Sequence, residues 1–143
     1  MEFLFAESED EAAIKQFLEA NGLLHQDIGL AELEHFLLAR VGPDIAGVVG
    51  LEVRQGDALL RSLAVAEGYR NKGLATLLVE KIENHARTLK ISTLYLLTLT
   101  AEGFFAKRDF RQTARSSAPA GIQKTAEFRG LCPASAVFMT KRL

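Results

Sequence analysis

Arg70-Asn71-Lys72-Gly73-Leu74-Ala75 lies between a strand-like run, Leu59-Leu60-Arg61-Ser62-Leu63-Ala64-Val65, and a helix-like run, Thr76-Leu77-Leu78-Val79-Glu80-Lys81-Ile82. A strand, a tight basic turn and a helix start together make an anion-binding device. A helix N-terminus leaves backbone N–H groups unpaired, and its dipole favours negative charge. Gly73 has no Cβ, so a bulky ligand can approach the backbone closely. Arg70 and Lys72 add positive charge for phosphate oxygens. The segment therefore predicts a phosphate-bearing ligand.

Three apolar runs lead up to this turn. Phe36 to Val41 ends at Gly42-Pro43-Asp44, Ile45 to Val53 ends at Gln55-Gly56-Asp57, and Ala58 to Val65 follows. Their lengths and turn residues predict a three-strand antiparallel meander. Nearer the start, Ser8-Glu9-Asp10-Glu11 reads as a capping box. Ala13, Ile14, Phe17 and Leu18 follow at helical spacing, and Asn21-Gly22 stops that helix. A second helical stretch is expected from Ile28 to Glu34.

Beyond the turn, Leu74, Leu77, Leu78, Ile82 and Leu89 form one helical stripe. Thr93 to Thr98 is a near-continuous apolar strand, which suggests burial on both faces. Strand, helix and strand in this order imply a right-handed crossover with parallel pairing. A short helix from Ala101 to Arg108, a strand near Phe110 to Arg115, a short helix within Pro119 to Phe128 and a strand from Ala134 to Lys141 complete the order. The expected fold is one α/β domain over residues 1–143. Its mixed, mostly antiparallel sheet has one parallel crossover pair and helices on both faces.

Composition narrows the function classes. The chain has 143 residues, 48% of them hydrophobic, with 17 basic and 18 acidic side chains. A net charge of −1 gives no bulk electrostatic footprint for nucleic acid. No segment approaches the ~20 apolar residues that span a bilayer, and the N-terminal stretch lacks the pattern of a signal peptide. A lone cysteine, Cys132, forms no internal disulfide and no multi-thiolate metal site. His25, His35 and His85 have no metal-ligand spacing. The expectation is a cytoplasmic protein without a metal.

With strand, turn and helix in place, the chain resembles the GNAT superfamily, the GCN5-related N-acetyltransferases. The superfamily's acetyl-CoA loop reads Gln or Arg, two variable residues, Gly, one variable residue, then Gly or Ala, and Arg70 to Ala75 matches it. Many relatives then carry Asn, Ala three residues on, an aromatic pair ending in Tyr, and Gly-Phe. Here the matching positions are Thr98, Ala101, Phe104-Phe105 and Asp109-Phe110, with the spacing kept and three identities changed. The double Phe is similar to that of N-acetylglutamate synthase-type acetyltransferases. Tyr95-Leu96-Leu97-Thr98, Ser117-Ala118-Pro119 and Leu131 to Ala136 resemble the small GNAT proteins associated with arsenic-resistance operons.

The resemblance implies acetyl-CoA as co-substrate and a small-molecule amine as acceptor, and it is compatible with a homodimer. It implies that the backbone of Asn71, Lys72, Gly73, Leu74 and Ala75, with the Arg70 side chain, grips the pyrophosphate. Leu63, Ala64 and Val65 would carry the pantetheine, with the Val65 N–H on the thioester carbonyl. Thr98 and Phe105 would lie beside the cofactor, and Phe105 stands where a Tyr could protonate the leaving thiolate. Lys107 is either a contact to the cofactor's ribose phosphate or an ordinary surface lysine. Arg115-Ser116-Ser117 could line the acceptor pocket, an arginine there suiting a carboxylate.

Acetyl transfer also needs a base, because an alkyl amine with pKa about 10 is protonated at pH 7. Glu52 is one candidate, set against a solvent-facing strand carboxylate. Ser62 and Arg61 precede the cofactor strand and could touch the acceptor. Cys132 is either a buried inert thiol or, as the resemblance implies, a catalytic-site residue in a loop near the acceptor cleft, where a soft thiolate could also meet a soft metalloid. The leading expectation is an N-acetyltransferase acting on an amino acid or an amine-bearing toxic compound. The alternatives are a non-catalytic acetyl-CoA sensor and an arsenical-binding protein acting through Cys132.

Overall fold

The capping signal near the start lies one residue earlier than its letters suggest. In the computed structural model, which describes residues 1–143, the Glu7 N–H donates to Asp10 Oδ2 at 2.8 Å, and the Glu7 side chain accepts from the Asp10 backbone. That box opens a single 3-10 turn, Ser8–Asp10, which runs into helix α1, Glu11–Ala20. Asn21 ends the helix, its side-chain amide donating to Phe17 O at 2.7 Å, and Gly22 follows at φ +72°. The helical stretch expected from Ile28 to Glu34 is a pair of turns and a 3-10 turn, Glu32–His35.

Seven strands form one sheet in the order β1-β2-β3-β4-β5-β7-β6. They are β1 (Glu2–Phe5), β2 (Phe36–Val41), β3 (Asp44–Arg54), β4 (Asp57–Val65), β5 (Thr93–Thr98), β6 (Arg111–Gln112) and β7 (Val137–Arg142). The other helices are α2 (Leu74–Thr88), α3 (Glu102–Ala106) and α4 (Ala120–Gln123). The meander and the parallel pair stand as the sequence implies, while β6 is far shorter than Phe110 to Arg115. The chain divides into two compact units, Met1–Leu51 with Arg61–His85, and Glu52–Leu60 with Ala86–Leu143. No helix is long and apolar enough to cross a membrane.

In the first unit β1 and β2 are antiparallel, with Leu4 opposite Leu38, and β2 pairs with β3 with a register shift at Ala39/Arg40. Ile14 and Leu18 of α1 pack with Ile28, Leu33, Phe36, Leu38, Val48 and Ala64 into one core. Two glycines of β3 set its depth. A Cβ on Gly47 would stand 2.8 Å from Leu78 Cδ1, so the close seating of α2 needs hydrogen there. Gly50 lies opposite Phe36 and is covered by its fully buried ring. A methyl at Gly50 would overlap a ring that cannot move aside. Gly50→Ala is therefore expected to cost about 1–3 kcal/mol, read as a lower denaturant midpoint at unchanged m-value.

The buried stripe of α2 differs from the expected one. Leu74, Leu78, Val79 and Ile82 are buried, while Leu77 and Leu89 are exposed. The stripe follows Val79, one residue past Leu78, instead of turning back to Leu77. At the far end of this face His85 Nε2 meets His35 Nδ1 at 3.1 Å, and the Phe5 ring lies 4.4 Å from the His85 ring. Burial and the neighbouring His35 both hold the His85 pKa below the usual imidazole value. Folding then disfavours the extra proton. The associated stability is complete above the unfolded value of about 6.5 and is lost as pH falls through the lower folded value. The parent chain's melting temperature is expected to decline below pH 6.5, and His85→Gln should flatten that decline.

In the second unit β4 and β5 run parallel, with Asp57 opposite Thr93 and Leu59 opposite Tyr95. The antiparallel partner of β5 is β7, from Thr93 opposite Arg142 to Thr98 opposite Val137. β5 is not buried evenly on both faces: Leu94 and Leu96 are buried, while Thr93, Tyr95 and Leu97 are half-buried. Leu59, Ala118, Ile122 and Phe138 form the core here. Tyr95 stacks on Phe138 at 5.5 Å, and Phe128 meets the same ring edge-on at 5.3 Å.

Candidate active site

Strand β4 carries a left-handed residue in its second half. Ser62 has φ +60°, a left-handed conformation that L-residues other than glycine adopt at a cost of roughly 1–2 kcal/mol. Arg61 stands beside it with its side chain wholly buried, donating from Nε to Ser62 Oγ at 3.1 Å. Both terminal nitrogens of Arg61 reach Asp27, Nη2 at 2.7 Å from Oδ1 and Nη1 on Oδ2. Burial raises the Asp27 pKa, but the hydrogen bonds and charge of Arg61, with the residue's own backbone, outweigh it and leave the carboxyl below its usual range. Arg61 and Ser62 are thus occupied with each other and with Asp27.

After the bend β4 straightens. The Ala66 N–H donates to Ala46 O at 2.8 Å. Successive backbone groups along a strand point to opposite edges. With Ala66 and Ala64 turned toward β3, the N–H groups of Leu63 and Val65 point to the other edge.

The turn itself is built from two left-handed residues, Asn71 at φ +63° and Gly73 at φ +82°. Asparagine tolerates this region, and glycine enters it without steric penalty. Nothing lies within 4 Å of a Cβ built on Gly73. The φ angle, more than any crowding by protein atoms, is what demands glycine here. Gly73 O accepts the Leu77 N–H at 3.1 Å and so starts α2. The N–H groups of Asn71, Lys72, Gly73, Leu74 and Ala75 lie in this turn and the first residues of α2, where a helix leaves its leading N–H groups without intrahelical partners. A turn with alternating left-handed residues gathers such groups into an anion-binding nest at the positive end of the helix.

The two basic side chains of the turn behave differently from expectation. Arg70 donates from Nε to Val65 O at 3.0 Å and from Nη2 to Asn21 Oδ1 at 2.7 Å. It ties the turn to the end of β4 and to the C-cap of α1. Lys72 Nζ rests 3.3 Å from Gly68 O, exposed on its flexible stem.

In the second unit Glu52 is only 7% exposed, so it is not a solvent-facing strand carboxylate. Arg54 Nη2 donates to its Oε2 at 3.1 Å. Gly121 of α4 abuts Arg54, where an added Cβ would come within 2.9 Å of Arg54 Cβ. Thr98 Oγ1 accepts the Ala101 N–H at 3.0 Å and shapes the entry to α3. Phe105 is 5% exposed, edge-on to Phe104 and Phe110. Phe104 is the less buried of the pair, covered by the Arg108 guanidinium at 3.6 Å. Lys107 is exposed at the C-cap of α3.

Cys132 is half-buried, its N–H donating to Glu127 O at 3.1 Å across the π-type turn Glu127–Leu131. The next residues are clamped by Arg115, whose Nη2 donates to Ala136 O at 2.9 Å and also reaches Pro133 O and Ala134 O. Arg115 therefore organises the Cys132 loop, with its guanidinium already turned to carbonyls. The sequence reading missed this clamp and the Asp27–Arg61 pair. An arginine inside the apolar run Leu59 to Val65 was the one available sign of a buried ion pair, and it did not name the partner.

Comparison with known proteins agrees with this geometry. The family model described as Acetyltransferase (GNAT) family matches residues 3–110. An amino-acid acetyltransferase of Pseudomonas putida is 32% identical over 112 residues, which cover 75% of this chain and 24% of that protein. The chain therefore spans about a quarter of the length of such relatives. Among solved structures, N-acetylglutamate synthase from Neisseria gonorrhoeae, complexed with coenzyme A and N-acetyl-glutamate, has a TM-score of 0.84 at 23% identity, covering 99% of this chain and 35% of that one. A Mycobacterium tuberculosis protein in complex with CoA has a TM-score of 0.81 at 20% identity, covering 100% and 99%. These last two likenesses are ones of fold.

Proposed function

The chain belongs to the acetyltransferase (GNAT) family, and from that premise we propose that it transfers the acetyl group of acetyl-CoA to the amine of a small molecule. The observation that carries this reading is the turn with left-handed Asn71 and Gly73 at the start of α2, which holds the row of N–H groups from Asn71 to Ala75. Such a row suits the pyrophosphate of coenzyme A. In this reading Arg70 shapes the turn, and Lys72 can swing onto phosphate. The Leu63 and Val65 N–H groups meet the pantetheine and the thioester carbonyl, where a donor fixed beforehand favours the oxyanion.

The chemistry balances without a further reagent. The acceptor ammonium gives up a proton, and the free amine attacks the thioester carbonyl. A C–N bond forms, and the attacking nitrogen releases its second proton to water to give the neutral amide. The C–S bond breaks, and the thiolate takes a proton to leave as free coenzyme A. Glu52, buried beside Arg54, is the candidate acceptor of the ammonium proton. Phe105 has no proton to give, so the thiolate with conjugate-acid pKa of about 8.5 is protonated by solvent. Thr98 supports the loop into α3, and Lys107 is free to approach a ribose phosphate. Relatives named amino-acid acetyltransferases favour an amino acid as acceptor.

The resemblance of the Thr98, Pro119 and Cys132 segments to arsenic-operon proteins extends the proposal to amine-bearing arsenicals. Cys132→Ser separates this from direct metalloid capture. An acetyltransferase should keep its thiol release within about twofold, since the thiol takes no part in the transfer written above. An arsenical-binding protein acting through Cys132 should lose its ligand.

Calorimetric titration tests the donor half. Acetyl-CoA should bind and raise the melting temperature, while acetyl-pantetheine, which has no pyrophosphate, should bind far more weakly. If acetyl-CoA neither binds nor stabilises the chain, the proposal fails.

A further inference from the structure

We infer that Asp27 is a positioning residue for acetyl transfer, acting through Arg61 to hold the Ser62 bend and with it the aim of the Leu63 and Val65 N–H groups. The inference rests on the acetyl-CoA reading above and adds a residue from outside the cofactor strand and turn. Asp27 lies 34 residues before Arg61, in the segment between α1 and β2. It is anchored there by its neighbour Ile28, which is buried in the core with Ile14 and Leu18.

Three observations converge on the bend. Ser62 is held at φ +60° inside a strand, a conformation that persists only when the surroundings over-determine it. Its hydroxyl is held by Arg61, which donates to Ser62 Oγ at 3.1 Å and is itself wholly buried. The arginine cannot adopt another rotamer while both ends of its fork are bound to Asp27. A planar guanidinium held at three nitrogens is a rigid strut.

Ser62 immediately precedes Leu63. A change in its dihedral angles rotates the next peptide planes, and the Val65 N–H lies three residues on. The pyrophosphate grip at Asn71 to Ala75 has an anchor outside β4, since Arg70 donates to Asn21 Oδ1 as well as to Val65 O. Loss of Asp27 should therefore leave the cofactor bound but its thioester mis-aimed.

The test is the carbonyl stretch of isotope-labelled acetyl-CoA bound to the whole chain, with affinity measured in parallel. In the parent chain the stretch should shift to lower frequency than in free acetyl-CoA, as a fixed N–H polarises the bond. In Asp27→Asn, affinity should change by less than about threefold while the shift collapses. Where an accepted amine is known, kcat should fall by about tenfold or more at nearly constant KM for acetyl-CoA, less than the loss on removing an oxyanion donor. Asp27→Glu, which keeps the charge, should retain part of the shift.

If Asp27→Asn fails to fold, Asp27→Leu with Arg61→Leu replaces the pair by packed apolar groups, and the shift should be lost there too. A full shift in either folded variant overturns the positioning role while leaving the acetyl-CoA reading standing. No shift in the parent chain overturns the positioning role as well. Absence of acetyl-CoA binding by the parent chain overturns both readings.

Discussion

Asp27→Ala should lower the unfolding free energy by about 3–5 kcal/mol, one of the two largest effects expected of a single substitution in this chain. The reason is Arg61, whose side chain is 0% exposed and has both ends of its fork on the Asp27 carboxylate. Removing the carboxylate strands a desolvated cation. The Asp27 side chain is itself only 16% exposed, so solvent screens the pair little. For a chain of this size the loss corresponds to a fall in melting temperature on the order of 10 °C.

The double variant, Asp27→Leu with Arg61→Leu, should recover most of that loss, because two apolar side chains carry no uncompensated charge. Acid titration adds a sign. Asp27 sits below its ordinary range when folded, so its contribution is complete above a pH of about 4 and disappears as pH falls through the folded value. Asp27→Ala should lack that part of the acid slope in chemical denaturation.

Gly73→Val is expected to weaken acetyl-CoA binding by about 10- to 100-fold while changing stability little. A β-branched residue at φ +82° is a steric outlier. Once the free turn has relaxed away from that angle, restoring it on binding costs about 1–3 kcal/mol, and each 1.4 kcal/mol is tenfold in affinity. The chain itself is spared because nothing stands within 4 Å of the new Cβ, so the free turn can relax into open space. Calorimetry reads the affinity, and a thermal melt without ligand reads the stability. Gly73→Ala should fall between the two, since its single methyl makes the left-handed conformation costly without forbidding it.

How far the sequence discloses the molecule depends on the kind of interaction. The meander from Phe36 to Val65 was legible because three apolar runs are separated by Gly-Pro-Asp and Gln-Gly-Asp, and local turn chemistry suffices to fold them. The tight turn before α2 was legible because a glycine between an apolar strand and a helix marks such a turn, and Gly73 does lie at φ +82°. The stretch from Ile28 to Glu34 was misread as a helix because Leu30 and Leu33 sit at helical spacing. Leu30 is in fact 60% exposed, and Ile28 and Leu33 serve a core formed with distant strands. Arg115 reads from the sequence either as lining an acceptor pocket or as part of a polar turn leading to Pro119, and neither reading discloses that its guanidinium closes a loop 21 residues away. Glu52 was set against a solvent-facing reading, and burial with Arg54 removes that alternative. Long-range ion pairs and clamps leave no periodic trace, so only coordinates reveal them.

The most direct measurement follows free thiol and acetylated product together. Acetyl-CoA is incubated with the chain and each of a set of amines: amino acids, polyamines, aminoglycosides and amine-bearing arsenicals. The account predicts that at least one amine, an amino acid foremost, releases one thiol for each N-acetylated product formed, and that Gly73→Val slows both alike. Tight acetyl-CoA binding with no amine eliciting thiol release, or thiol release without any acetylated product, would contradict it.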